Sequence, residues 1–291
     1  MNKLNRKELK FKIEDLYFKS LGVNDPRYIA VLDAIKSIMG MDLETIDSKL
    51  LNLFIQDFEK HQVSHTDLME YKDIPEAMSM YSLEKTLIDR DYEASIENAY
   101  YLSRVSDGIQ ILEFLLEFSL KYCENSYRYI WHIIRIQRFL NGKHMLESLN
   151  KSISLILSED FIDSFQVDNR QICWSDYLSL EFDKIDDLLL YYTIYKSDLI
   201  RCNVIRKLIA SKLSLYLGDG VDQKKNVLNV YDNQLEVGRR WILDYLNNTE
   251  DKKINFDIII LLDNVRSCLM LSDSELEKKY LWTYLNNNLC N

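Results

Sequence analysis

Apolar residues along this chain recur at intervals of three and four, the spacing that lays a single stripe along an α-helix. From about Leu4 to Leu21 the stripe is Leu9, Ile13, Leu16, Tyr17 and Leu21, and Gly22 stops it. Asp25 and Pro26 open a second segment that ends at Gly40, and Leu43 to about His61 carries a third with Leu50, Leu51, Phe54, Ile55 and Phe58. Asp73, Pro75 and Glu76 form a capping-box pattern ahead of a helix over Ala77 to Ile88. Asp91, Ser106 and Ser126 read as N-caps of three successive helices, closed by Asn141 and Gly142.

Past a loose stretch around Gln166 to Arg170, helical patterning resumes near Ser175 and again over Ser197 to Leu217, before the turn Gly218, Asp219, Gly220. A long segment from Val221 to Leu246 follows, then Phe256 to Leu271, then a last helix capped by Ser272 with Glu275 three residues on. Ile254 to Leu262 has the β-branched density of a strand, yet both flanks are helical and the segment reads as helix. The pattern predicts an all-α fold, a curved array or irregular bundle of roughly a dozen antiparallel helices, because short loops force neighbours to pack antiparallel. Starts near 91, 106, 126 and 143 give a helix-pair spacing of about 35 residues, as in stacked helical repeats, but no residue signature repeats with it. The expected organisation is one helical unit over residues 1–291, with 1–165 and 175–291 as the natural subdivision.

Composition agrees with the pattern. Seven Gly and two Pro in 291 residues leave little material for tight turns, which argues against an all-β fold. No apolar run approaches the length needed to cross a bilayer, and charge interrupts the first twenty residues too often for a secretory signal. Five cysteines, Cys123, Cys173, Cys202, Cys268 and Cys290, are odd in number, widely spaced and without a C-x-x-C pair, so they read as reduced thiols in a cytoplasmic protein.

The net charge of −10 argues against nonspecific nucleic-acid binding. It is unevenly spread. Residues 57–97 and residues 144–198 each hold 11 acids against 4 bases, whereas residues 121–143 hold 5 bases against Glu124 alone. That basic island places Arg128, His132 and Arg135 on one helix face with Arg138 a turn beyond, a candidate site for a phosphate, a carboxylate or an acidic partner surface. The same arginines could instead form internal salt bridges with Glu113 or Glu117 on the preceding helix.

Glu113 and Glu117 are themselves an i, i+4 carboxylate pair on a helix that is apolar nearly all round, Gly108 to Glu124. Such a pair suits acid/base or metal chemistry in a helical bundle, or else a thin solvent edge with a Glu117–Lys121 pair. His61 and His65 share i, i+4 spacing but lack a third ligand, so no metal and no cofactor is expected. Phosphate-loop, dinucleotide and nucleophile-elbow motifs are missing, and Asp186, Asp187, Asp89 and Asp91 read as helix-start aspartates.

Nineteen tyrosines cluster at Tyr100, Tyr101, Tyr122, Tyr127 and Tyr129, and at Tyr191, Tyr192 and Tyr195. Tyrosine suits half-buried groove positions. The function expected from these features is a cytosolic interaction module that binds another protein through a tyrosine-rich groove, Tyr101 and Tyr129 included, and a basic face of Arg128, His132, Arg135 and Arg138. The alternative is an all-α enzyme or sensor of a small anionic ligand, with a buried pocket between the Glu113/Glu117 and Arg128/His132/Arg135 faces. Nucleic-acid contact through residues 121–143 is a third, weaker expectation.

Overall fold

A computed structural model describes residues 5–42, 48–64, 79–163, 171–180, 185–217, 226–250 and 253–289. Of these, 75% are helical, in fifteen α-helices with no strand. In chain order they are α1 (Arg6–Leu21), α2 (Arg27–Met39), α3 (Lys49–Phe58), α4 (Met80–Ile88), α5 (Tyr92–Val105), α6 (Gly108–Tyr122), α7 (Ser126–Leu140) and α8 (Met145–Leu157). They continue as α9 (Trp174–Leu178), α10 (Ile185–Lys196), α11 (Asn203–Leu217), α12 (Asp232–Val237), α13 (Arg240–Asn248), α14 (Phe256–Leu271) and α15 (Glu275–Leu289). No helix among the described residues is long and apolar enough to cross a membrane. The capping pattern at Asp73 to Glu76, the loose stretch at 166–170, the Gly218–Gly220 turn, His65 and Cys290 lie outside the described residues.

The helix start at Asp91 follows the expected side chain, whose carboxylate accepts the Ala94 N–H at 3.0 Å. Asn255 caps α14 in the same way, accepting the Ile258 N–H at 2.8 Å. Other starts shift. α6 is capped by Asp107, whose carboxylate accepts the Ile109 N–H, while Ser106 closes α5 by donating its hydroxyl to the Leu102 carbonyl. Ser126 does not cap α7. The carboxylate of Glu159, 33 residues on, accepts the N–H groups of Glu124, Asn125 and Ser126 and so satisfies that helix end from across the fold. The segment expected to run from Val221 to Leu246 breaks at Gly238, which separates α12 from α13.

Gly238 holds φ +61 and ψ −142, a conformation nearly reserved for glycine, and a Cβ there would meet nothing within 4 Å. Gly238→Ala therefore costs backbone strain with no clash, about 1–2 kcal/mol. Amide exchange should show faster opening confined to α12 and α13. Unchanged protection there would show that the turn accepts a side chain.

The core is one continuous buried cluster from Leu9 to Leu285. At its centre α7 packs against α6, α2 and α8, and α2 packs in turn against α14, which leans on α10 and α15. The resulting spatial order α6, α7, α2, α14, α10 brings together helices more than 200 residues apart. A stacked repeat array keeps contacts between sequence neighbours. The α2–α14 pairing makes this an irregular bundle instead.

Candidate functional site

α7 carries the basic island into the middle of the molecule. His132 is 4% exposed, and its Nδ1 lies 2.8 Å from Asp33 Oδ2 on α2. Arg135, 10% exposed, reaches Asp33 at 3.1 Å with Nη1, while its Nη2 donates to Asp263 of α14 and to the Ser37 hydroxyl, both at 2.9 Å. Arg266 donates from Nε to Asp263 Oδ1 at 2.7 Å, and Lys36 pairs with the other oxygen of Asp33. Two carboxylates with no exposed surface thus tie α2, α7 and α14 together. Burial pushes the Asp33 carboxyl up, but Arg135, Lys36 and His132 outweigh it and hold the group well below the usual carboxylate range.

The expected basic face is therefore divided. His132 and Arg135 belong to this buried network, so they do not form an open anion-binding face. The carboxylates they meet are Asp33 and Asp263, not Glu113 or Glu117. Arg128 pairs with Asp187 of α10 at 2.7 Å, where the Tyr127 hydroxyl also donates. Arg138 lies 3.8 Å from Glu113. The remaining oxygen of Glu113 accepts the backbone N–H groups of Arg201 and Cys202 at 3.1 and 3.3 Å, just ahead of α11. Glu117 accepts the Cys202 thiol at 3.2 Å. The two glutamates thus anchor α11 against α6, and they do not converge with His132 or Arg135.

Of the eight clustered tyrosines, Tyr101, Tyr127, Tyr191 and Tyr192 are buried, and Tyr100, Tyr122, Tyr129 and Tyr195 are half-buried. Tyr127 and Tyr191 stack at 5.3 Å inside the core, Tyr192 is buried beneath Trp174, and Tyr101 is 5% exposed with its hydroxyl donated to Glu97. Tyr129 is half-buried, and burial raises its hydroxyl pKa. A large ring with a polar tip meets core packing and groove lining equally well, so abundance alone does not separate the two.

Directly over the buried network opens a cleft of about 1120 Å³. Lys36, Ser37 and Met41 line it from the end of α2, Phe139 from α7, Arg266 and Met270 from α14, and Val237, Arg239, Arg240 and Leu243 from the α12–α13 hairpin. Lys36 and Arg266 belong to both the network and the cleft. Arg239 and Arg240 are exposed and form no ion pair among the described residues, because the Gly238 turn sets them at the start of α13, away from the core. Asp42 is the one carboxylate among the lining side chains.

None of these four cations stood out in the sequence. The available signals were a Gly-Arg-Arg turn and aspartates in the middle of two apolar helices. No protein-family model, no curated protein and no solved structure matches the chain.

Proposed function

We propose that this chain is an interaction module of a cytosol-like compartment that receives an acidic segment of a partner protein in the cleft between α2, α7, α14 and the α12–α13 hairpin. The observation that carries this reading is the cleft itself, open and larger than most small-molecule pockets, with two exposed guanidinium groups at its rim that form no ion pair among the described residues. Exposed arginines steer an acidic partner and fix its register, and Met270, Leu243 and Phe139 offer apolar contact beside them. An enzyme or closed sensor would need the Glu113/Glu117 and His132/Arg135 groups to face one enclosed space. Their separate partners support the open-groove reading instead.

Arg239→Ala combined with Arg240→Ala is expected to weaken binding of a fluorescein-labelled glutamate-rich peptide by roughly tenfold at low salt. The difference should shrink as salt rises, with the melting temperature unchanged. Equal affinity of the two proteins at low salt would remove the cleft from consideration.

The compartment has its own test in the thiols. Cys123 and Cys268 are fully buried, and burial pushes the Cys123 thiol up to about 11 and the Cys268 thiol well above its ordinary value. Cys202 is half-buried and Cys173 is exposed. Among the described cysteines, a thiol reagent followed by mass spectrometry should label Cys173 first, and Cys123 and Cys268 only on unfolding. A disulfide in freshly purified protein would count against a reducing compartment.

A further inference from the structure

The floor of the cleft does not balance electrically. Lys36, Arg135 and Arg266 meet Asp33 and Asp263 there, three cations against two carboxylates, and each of the five side chains is at most 10% exposed. His132 closes the same cluster from the α7 side through Asp33. Burial pulls the Lys36 ammonium below its ordinary value, Asp33 opposes that, and Arg135 pulls it down again. Arg266 commits Nε to Asp263 and Nη2 to Ser267, which leaves Nη1 without a partner among the described residues. At the rim the lining adds Arg239 and Arg240 and one carboxylate, Asp42. The buried network beneath the cleft and the cleft's rim together carry five cations and three carboxylates, an excess of two positive charges, and four of the cations, Lys36, Arg239, Arg240 and Arg266, line the cleft itself. Partly desolvated cations in excess favour an anion that completes the set.

A carboxylate brings one charge and two oxygens. A phosphomonoester brings about −1.5 to −2 charges at neutral pH and three strong acceptor oxygens, which matches both the excess and the number of donors, three of them on guanidinium forks. We propose that the cleft is a phosphomonoester site in which Lys36 and Arg266 from the floor and Arg239 and Arg240 from the rim surround one phosphate group. Resting on the interaction reading above, the phosphate is carried by a serine or threonine of the partner protein, and its flanking residues lie on Met270 and Leu243. Phosphorylation of the partner then switches the complex on.

The test uses the full chain and three fluorescein-labelled peptide pools, degenerate except for a central serine, phosphoserine or glutamate, with inorganic phosphate as competitor. The phosphoserine pool is expected to bind at least about tenfold tighter than the other two. Arg239→Ala with Arg240→Ala should abolish that preference, and so should Lys36→Met. Lys36→Met removes the excess cation and leaves Asp33 with Arg135 and His132. If it nevertheless unfolds, the exposed arginine pair decides the matter alone. Equal binding of the glutamate and phosphoserine pools, lost in the arginine variant, overturns the phosphate site and leaves the acidic-partner reading standing. Inorganic phosphate bound as tightly as the phosphoserine pool, and lost in the same variants, keeps the phosphate site and removes the protein partner. No binding of any probe overturns both.

Discussion

Arg135→Ala is expected to cost about 3–5 kcal/mol of stability, because it leaves two buried carboxylates without their shared partner. Asp33 and Asp263 have no exposed side-chain surface, and Arg135 is the only residue among those described that pairs with both. Its removal also opens a side-chain-sized gap between α2, α7 and α14. A melting temperature lower by about 2–4 °C for each kcal/mol should make the loss plain in a thermal melt. The acid limb carries a second signature. Asp33 titrates below its unfolded value, so the unfolded chain binds its proton first. The network's contribution is present above the ordinary carboxylate pKa and is lost as pH falls through that value towards the folded one. Without Arg135 the depression is smaller, and stability should fall less steeply in acid. A loss under about 1 kcal/mol, with an unchanged acid limb, would mean that water already solvates the cluster.

The second large effect belongs to α6. Leu116 is 0% exposed on a helix whose ten buried residues occupy nearly its whole circumference, with α7, α8 and α11 packed around it. Neighbours held on several sides relax poorly into a vacated volume, so Leu116→Ala should cost about 3–5 kcal/mol through lost transfer energy and the remaining cavity. Chemical denaturation should show a lower midpoint with an unchanged slope. A changed slope would instead report a loosened native state. The conservative Leu116→Met should recover most of the loss, because volume is kept.

Much of the fold was legible in the chain because helix punctuation is local. Gly22, Gly40 and the Asn141–Gly142 pair each end a helix, and Asn141 takes a left-handed φ of 57°. The segment beginning at Ile254 shows packing overriding propensity. Its isoleucines favour strand, yet α14 is buried on most sides and each of them is accommodated. What periodicity cannot report is which helix a buried face meets. It gave no hint that α2 pairs with α14, and so none that Asp33 and Asp263 would absorb the arginine expected to bind a ligand. Their signal was present all the same: an aspartate midway along an apolar helix is costly unless a cation comes to it. The cleft was hidden for the same reason, since its cations come from three separated segments.

The pairing of Arg135 with Asp263 also has a consequence for synthesis. At about 5–20 residues per second, the roughly 130 residues between Arg135 and Arg266 take on the order of 6–25 s to emerge from the ribosome. During that interval α7 can meet α2 and Arg135 can meet Asp33, but α14 has not yet been made and the surface that will hold it lies bare. That nascent surface combines a guanidinium still lacking its second carboxylate with the apolar flank of α2. It is the point in the protein's life at which a chaperone has the most to cover, and a pause in translation before α14 would lengthen the exposure in direct proportion.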